Sequence, residues 1–247
     1  MPQGPVEEST HDESLDPRRL VARCLGHHRV GARGLRRRTL RRLEGIFSTY
    51  RPDSEVMRLR CGELSIEECS DEVRDVLAIA ELAERRTGGA FTTLLPTDAG
   101  DLAFDPTGLV KGWAVERAAR ELDGLTGLSY CINAGEDLVI GAHQDVPVSG
   151  PGSISWRVGI EAPRNGSAIV GTVPMTHGAV ATSGTAARGA HLYDPSTSEY
   201  ISRSGSVTVI GPALLWADIW ATALFVGGER ARAAFAVAAP DYLSTAL

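Results

Sequence analysis

LVKGWAVERAARELDGLTGLSYCINAGEDLVIGA, residues 109–142, is where the chain changes its periodicity. From Leu109 to Leu122 the apolar residues recur at helical spacing, whereas after Gly127 two short runs, Ser129 to Asn133 and Leu138 to Ala142, read as strands joined by a turn. Working outward toward the N-terminus, Val73, Leu77, Ala80 and Ala83 mark a helix over Ile66 to Arg86, stopped by Thr87-Gly88-Gly89. Further out, Leu35, Leu40, Leu43 and Phe47 share one face of a helix in LRRRTLRRLEGIF, with the arginines largely elsewhere. In the other direction Ile154 to Ile160, Ala168 to Val173, Gly178 to Thr182 and Gly205 to Ile210 read as strands. A final helix is expected from Ala213 to Val226, closed by Gly227-Gly228. Helices come first, strands mostly later, and no regular βαβ alternation is visible, so the expected class is α+β.

The 247 residues carry a net charge of −6 with 43% hydrophobic residues, a composition that excludes a disordered or collagen-like chain. No apolar run reaches membrane-spanning length, and Met1 to Asp16 is acidic and polar, unlike a secretory signal. The four cysteines (24, 61, 69 and 131) have neither zinc-site spacing nor the density of a disulfide framework, so free thiols in a cytoplasmic protein are expected. Of 25 basic residues 24 are arginine, and 11 of these fall between Arg18 and Arg51; the single lysine is Lys111. The arginine-rich segment reads as a docked amphipathic helix with a solvated face. No aromatic interleaving or zinc-finger spacing accompanies it, which leaves a nucleic-acid role little support.

Two segments pair groups that could bind an anion and a cation. In Phe104 to Gly112 an acid, Asp105, and the only lysine, Lys111, flank the start of a helix, whose unpaired N–H groups suit a phosphate. The plainer alternatives are a helix cap at Asp105 and a surface Lys111. In the last helix Asp218 and Thr222 stand four residues apart, so their oxygens project from one face and could hold one hard cation, leaving room for water and phosphate as magnesium prefers. Here the alternatives are a first-turn acid and a satisfied core hydroxyl. His191, in His191-Leu192-Tyr193-Asp194-Pro195, could serve as a base, a phosphate partner or a structural histidine.

In this order, FSTYRPDSE (Phe47 to Glu55), TGGAF (Thr87 to Phe91), FDPTGLVKGWAV (Phe104 to Val115), NAGED (Asn133 to Asp137), ATSG (Ala181 to Gly184), HLYDP (His191 to Pro195) and ADIWATALFVGG (Ala217 to Gly228) resemble the FAD:protein FMN transferase (ApbE) family. The resemblance implies an α+β, T-fold-related domain with mixed or antiparallel sheets and packed helices over residues 35–247, preceded by an acidic, then arginine-rich segment over 1–34. It implies a magnesium-dependent enzyme that moves FMN from FAD to a threonine or serine hydroxyl of an acceptor flavoprotein and releases AMP. FAD hydrolysis to FMN and AMP, or flavin binding without catalysis, would use the same site. Carried over by position, Ala90, Phe91, Thr92, Asp105, Lys111 and Tyr193 would contact FAD. Gly108, through its carbonyl, would bind Mg2+ with Asp218 and Thr222; in such a site His191 would either accept the proton of the attacking hydroxyl or merely orient the phosphate. Relatives usually open with a strand carrying a Met-Gly-Thr-like motif, and no such motif is legible in residues 1–40. Arg60, Thr92, Glu136 and Ala221 stand where relatives carry asparagine, an acid, glycine and an acid. Only six residues separate Gly184 from His191, where a longer hairpin is usual.

Overall fold

The computed structural model describes residues 20–25, 39, 41–135, 137–147, 149–150, 153–163, 165–185 and 191–247. Residues 1–19, 26–38, 40, 136, 148, 151–152, 164 and 186–190, among them Leu35 and Leu40 of the expected helix face and most of the short connection before His191, lie outside the described residues.

The arginine-rich segment ends in a helix, α1, over 41–47. Its Leu43, Ile46 and Phe47 are buried while Arg41 and Arg42 are exposed, as the amphipathic pattern requires. Helix α2 (Glu55–Arg60) starts at Ser54, whose hydroxyl accepts from Met57 N at 3.1 Å and donates to Ser48 O at 2.6 Å. The helix expected over Ile66 to Arg86 is two pieces. A single 3-10 turn, Ile66–Glu68, precedes α3 (Asp71–Arg86), because Ser70 turns its extended backbone and hydroxyl to cap Val73 N. Helix α3 buries Val73, Val76, Ala80 and Ala83, and its Glu72 pairs with Arg42 of α1.

The hairpin β2 (Leu94–Pro96) and β3 (Leu102–Phe104) leads into α4 (Thr107–Asp123). Strand β1 (Leu20–Leu25), which the sequence reading did not find, pairs antiparallel with β4 (Ser129–Ala134). Strands β5 (Asp137–Ala142), β8 (Gly178–Gly184), β11 (Ser206–Gly211) and β12 (Leu243–Ala246) complete a six-stranded sheet in the order β1-β4-β5-β8-β11-β12, every pair antiparallel. Strands β6 (Trp156–Ala162) and β7 (Asn165–Met175) form a separate hairpin, and β9 (Tyr193–Asp194) with β10 (Glu199–Tyr200) a small one.

Strand alternation sends the two sheet faces to two cores. Val139, Ala179, Ala181 and Val209 join the main core with α4 and α5 (Leu214–Ala238), whereas Ile140 and Val180 pack with Val158 and Met175 of the β6–β7 hairpin. Helices α4 and α5 approach closely at Gly112, where a Cβ would lie 3.3 Å from both Leu215 Cα and Asp218 Oδ2. The expected stop at Gly227-Gly228 is a kink instead. Gly228 leaves helical geometry at φ 54°, ψ −129°, a conformation open to glycine, and the helix resumes to Ala238.

Candidate active site

One cavity of about 150 Å³, lined by polar and apolar groups alike, opens between the start of α4, the first turns of α5 and the end of β8. Helix α4 supplies Thr107, Gly108 and Lys111, with Asp105 just before it; α5 supplies Asp218 and Thr222; β8 supplies Thr182, Ser183 and Gly184. Phe91, Thr92 and Leu95 close one side, and His191 with Leu192 stand opposite. Eight of the ten expected site residues therefore converge, although they span 132 positions of chain from Phe91 to Thr222.

Each wall has a local cause. Thr87, at the end of α3, donates to Ala83 O at 2.8 Å and accepts from Phe91 N at 3.1 Å, so the Gly88-Gly89 turn delivers Phe91 to the cavity. Asp105 Oδ1 accepts from Thr107 N at 3.0 Å and Thr107 Oγ1 at 2.7 Å, a side-chain turn across Pro106, which holds the N-cap position of α4. Its other oxygen faces Arg60 at 3.0 Å, and Arg60 Nε donates to Phe104 O at 2.5 Å. Asp105 therefore braces the turn one residue before the N-cap position, and both of its oxygens are engaged, by Thr107 and by Arg60.

Lys111 is not a surface lysine. Its side chain is 11% exposed, with Nζ 2.6 Å from Asp137 Oδ2 and 3.8 Å from Asp218 Oδ2. Asp137 is fully buried and Asp218 nearly so. One ammonium thus faces two buried carboxyl groups, in surroundings where charge is weakly screened. Thr222, one turn beyond Asp218, shares a 2.9 Å hydrogen bond with Ser183 of β8. Among the described residues no three His, Cys, Asp or Glu side chains cluster as a metal site. The oxygens of Asp218 and Thr222 nonetheless suit a hard cation that keeps water or phosphate as further ligands.

Two expected contacts stand apart. Ala90 is buried against Gly227 of α5 rather than in the cavity wall. Tyr193 belongs to the β9–β10 hairpin, its ring edge-on to Tyr200 at 5.6 Å. The same hairpin carries His191, exposed at its foot, where Leu192 O accepts from Ile201 N at 2.8 Å. Sequence reasoning missed Asp137 and Ser183 as members of the site, although both lie inside stretches it quoted, NAGED and ATSG.

The fold and this cleft define an α+β protein whose functional groups gather where two core helices meet the end of an antiparallel sheet. The chain belongs to the ApbE family, whose profile matches residues 92–244. It is 32% identical over 151 residues to the FAD:protein FMN transferase of Escherichia coli K12, covering 56% of this chain and 41% of that protein. To the Vibrio cholerae FAD:protein FMN transferase it is 30% identical over 147 residues, 55% of this chain and 42% of the other. The chain thus spans about two fifths of the length of these relatives. Among solved structures, the apo flavinyl transferase ApbE of Pseudomonas stutzeri superposes with a TM-score of 0.69 at 24% identity, over 92% of this chain and 94% of that one. The ApbE protein of Thermotoga maritima gives 0.70 at 22%, over 90% and 88%. These superpositions establish the shared fold.

Proposed function

We propose that this chain is an FAD:protein FMN transferase that attaches FMN, through its phosphate, to a threonine or serine hydroxyl of an acceptor flavoprotein. The observation that carries the reading is the convergence of Lys111, Asp218 and Thr222, from two helices, on one cavity walled by Phe91. Family membership supplies the reaction class. The acceptor oxygen forms a bond to the phosphorus that bears riboflavin; the bond from that phosphorus to the bridging oxygen breaks, and AMP leaves with the electron pair. His191, exposed and lining the cavity, would take the hydroxyl proton as the protein substrate arrives. Lys111 supplies positive charge beside the pyrophosphate, and Phe91 and Leu95 offer apolar surface to a ring. Asp105 contributes by fixing the start of α4 under the substrate.

The donor set at Asp218, Thr222 and the Gly108 carbonyl is all oxygen, with one buried carboxylate, and fits Mg2+. Bound there, the ion would neutralise pyrophosphate charge as the phosphorus is attacked. The described residues contain no helix long and apolar enough to cross a membrane, and Cys61 and Cys69 are thiols, features we read as fitting a cytoplasmic enzyme.

Incubation with FAD, Mg2+ and an acceptor flavoprotein tests this reading. Flavin that stays with the acceptor after denaturation is expected, with one AMP released per flavin attached. Free FMN and AMP without attachment would identify a hydrolase, and unchanged FAD a binding module.

A further inference from the structure

We propose that Asp137 is a positioning residue that holds Lys111 away from Asp218 and so keeps the cation site open. This rests on the metal assignment above and extends it to a residue outside the cavity wall. Asp137 begins β5 and is fully buried, and among the described residues no hydrogen bond other than the Lys111 contact reaches its oxygens. Its counter-charge is the Lys111 ammonium at 2.6 Å. A buried carboxylate without such a partner is strongly disfavoured, so the pair is held by the cost of separating it. The same ammonium lies only 3.8 Å from Asp218 Oδ2. A small rotation of the lysine would place it on the carboxylate that the cation needs.

The chain therefore has two claimants for Asp218, its own lysine and a divalent ion. Asp137 decides between them by drawing the lysine toward β5. Neutralising Asp137 has two effects of the same sign: Lys111 is released to pair with Asp218, and its charge is no longer offset near the incoming ion.

The test is Mn2+ alone, titrated into the protein without FAD and followed by electron paramagnetic resonance. Asp137→Asn should weaken Mn2+ binding by about tenfold or more, and Asp137→Glu, which keeps the charge, by much less. The double variant Asp137→Asn/Lys111→Met should recover the affinity, because the competing ammonium is gone. A purely structural role for Asp137 predicts no recovery. Equal binding by wild type and Asp137→Asn, or a weakened single variant that the second substitution does not rescue, would overturn the inference. Wild-type protein that takes up no Mn2+ would instead overturn the metal assignment beneath it. If Asp137→Asn does not fold, a structure of the wild-type protein with Mn2+ decides: Lys111 is expected on Asp137, and a Lys111 found on Asp218 would refute the proposal.

Discussion

Lys111, the only lysine beside 24 arginines, occupies a place where a guanidinium does not fit easily. It is 11% exposed and lies between two carboxylates, one 2.6 Å and the other 3.8 Å away. A slim ammonium can serve both, whereas the wide planar fork of arginine needs more room and a different approach. Lys111→Arg is accordingly expected to weaken FAD binding or turnover, with fluorescence titration and initial rates as the measurements; unchanged values would make the lone lysine an accident of composition. Asp218 is the one carboxylate within the cavity that the sequence pattern marked for a cation. Asp218→Ala should lower turnover by roughly a hundredfold or more while leaving the circular dichroism spectrum intact, and full activity would show the assignment to be wrong. These residues were legible because i, i+4 spacing and composition are properties of the sequence. Asp137 was not, since its importance lies in a contact between β5 and α4 that 26 positions of sequence separate. Asp105 was ambiguous for the same reason: only the fold shows that Thr107 and Arg60 occupy its oxygens.

Among elements, the periodicity recovered α4, the start of α5 and the four inner strands β4, β5, β8 and β11, each within a few residues, because burial on one face imposes a regular pattern; it missed the edge strands β1 and β12 and the twelve residues of α5 beyond Val226. It failed where regularity is broken or short. Ser70 splits the expected helix before α3, and Gly228 bends α5 without ending it, a distinction that depends on what packs beyond the glycine. The β2–β3 and β9–β10 hairpins have strands of only two or three residues, too short to show alternation. The contact between α4 and α5 carries a prediction of its own. Gly112→Ala inserts a methyl 3.3 Å from Asp218 Oδ2 and Leu215 Cα, a contact tight enough that the Asp218 side chain or the α5 backbone must yield by a few tenths of an ångström. Overpacking of this kind is expected to cost about 1–3 kcal/mol, measurable by urea denaturation, and to reduce activity further by displacing Asp218. A variant as stable and active as wild type would show that the helix contact has slack.

For the whole molecule, α1 ties the arginine-rich segment to the core. Phe47 packs edge-on to Trp113 at 5.5 Å, and Arg42 pairs with Glu72 across to α3. The Arg42 hydrogen bond holds the Glu72 carboxyl below its ordinary value despite partial burial. A carboxyl with a lower pKa folded than unfolded stabilises the protein above the unfolded pKa. That contribution disappears as pH falls through the folded value. Melting temperatures of wild type and Arg42→Ala should therefore differ at neutral pH and converge below about pH 4; a constant difference would assign the effect to packing of the arginine stem. Phe47→Ala, which removes a fully buried ring, should cost about 3–5 kcal/mol.

The proposed transfer of FMN to another protein is assigned to the one cleft shared by α4, α5 and β8. Intact-mass spectrometry of an acceptor flavoprotein, after incubation with the chain, FAD and Mg2+, tests it most directly. An acceptor heavier by one FMN less water, localised to a threonine or serine, is expected, with no such product from Asp218→Ala. An acceptor of unchanged mass, with FAD consumed or untouched, would contradict it.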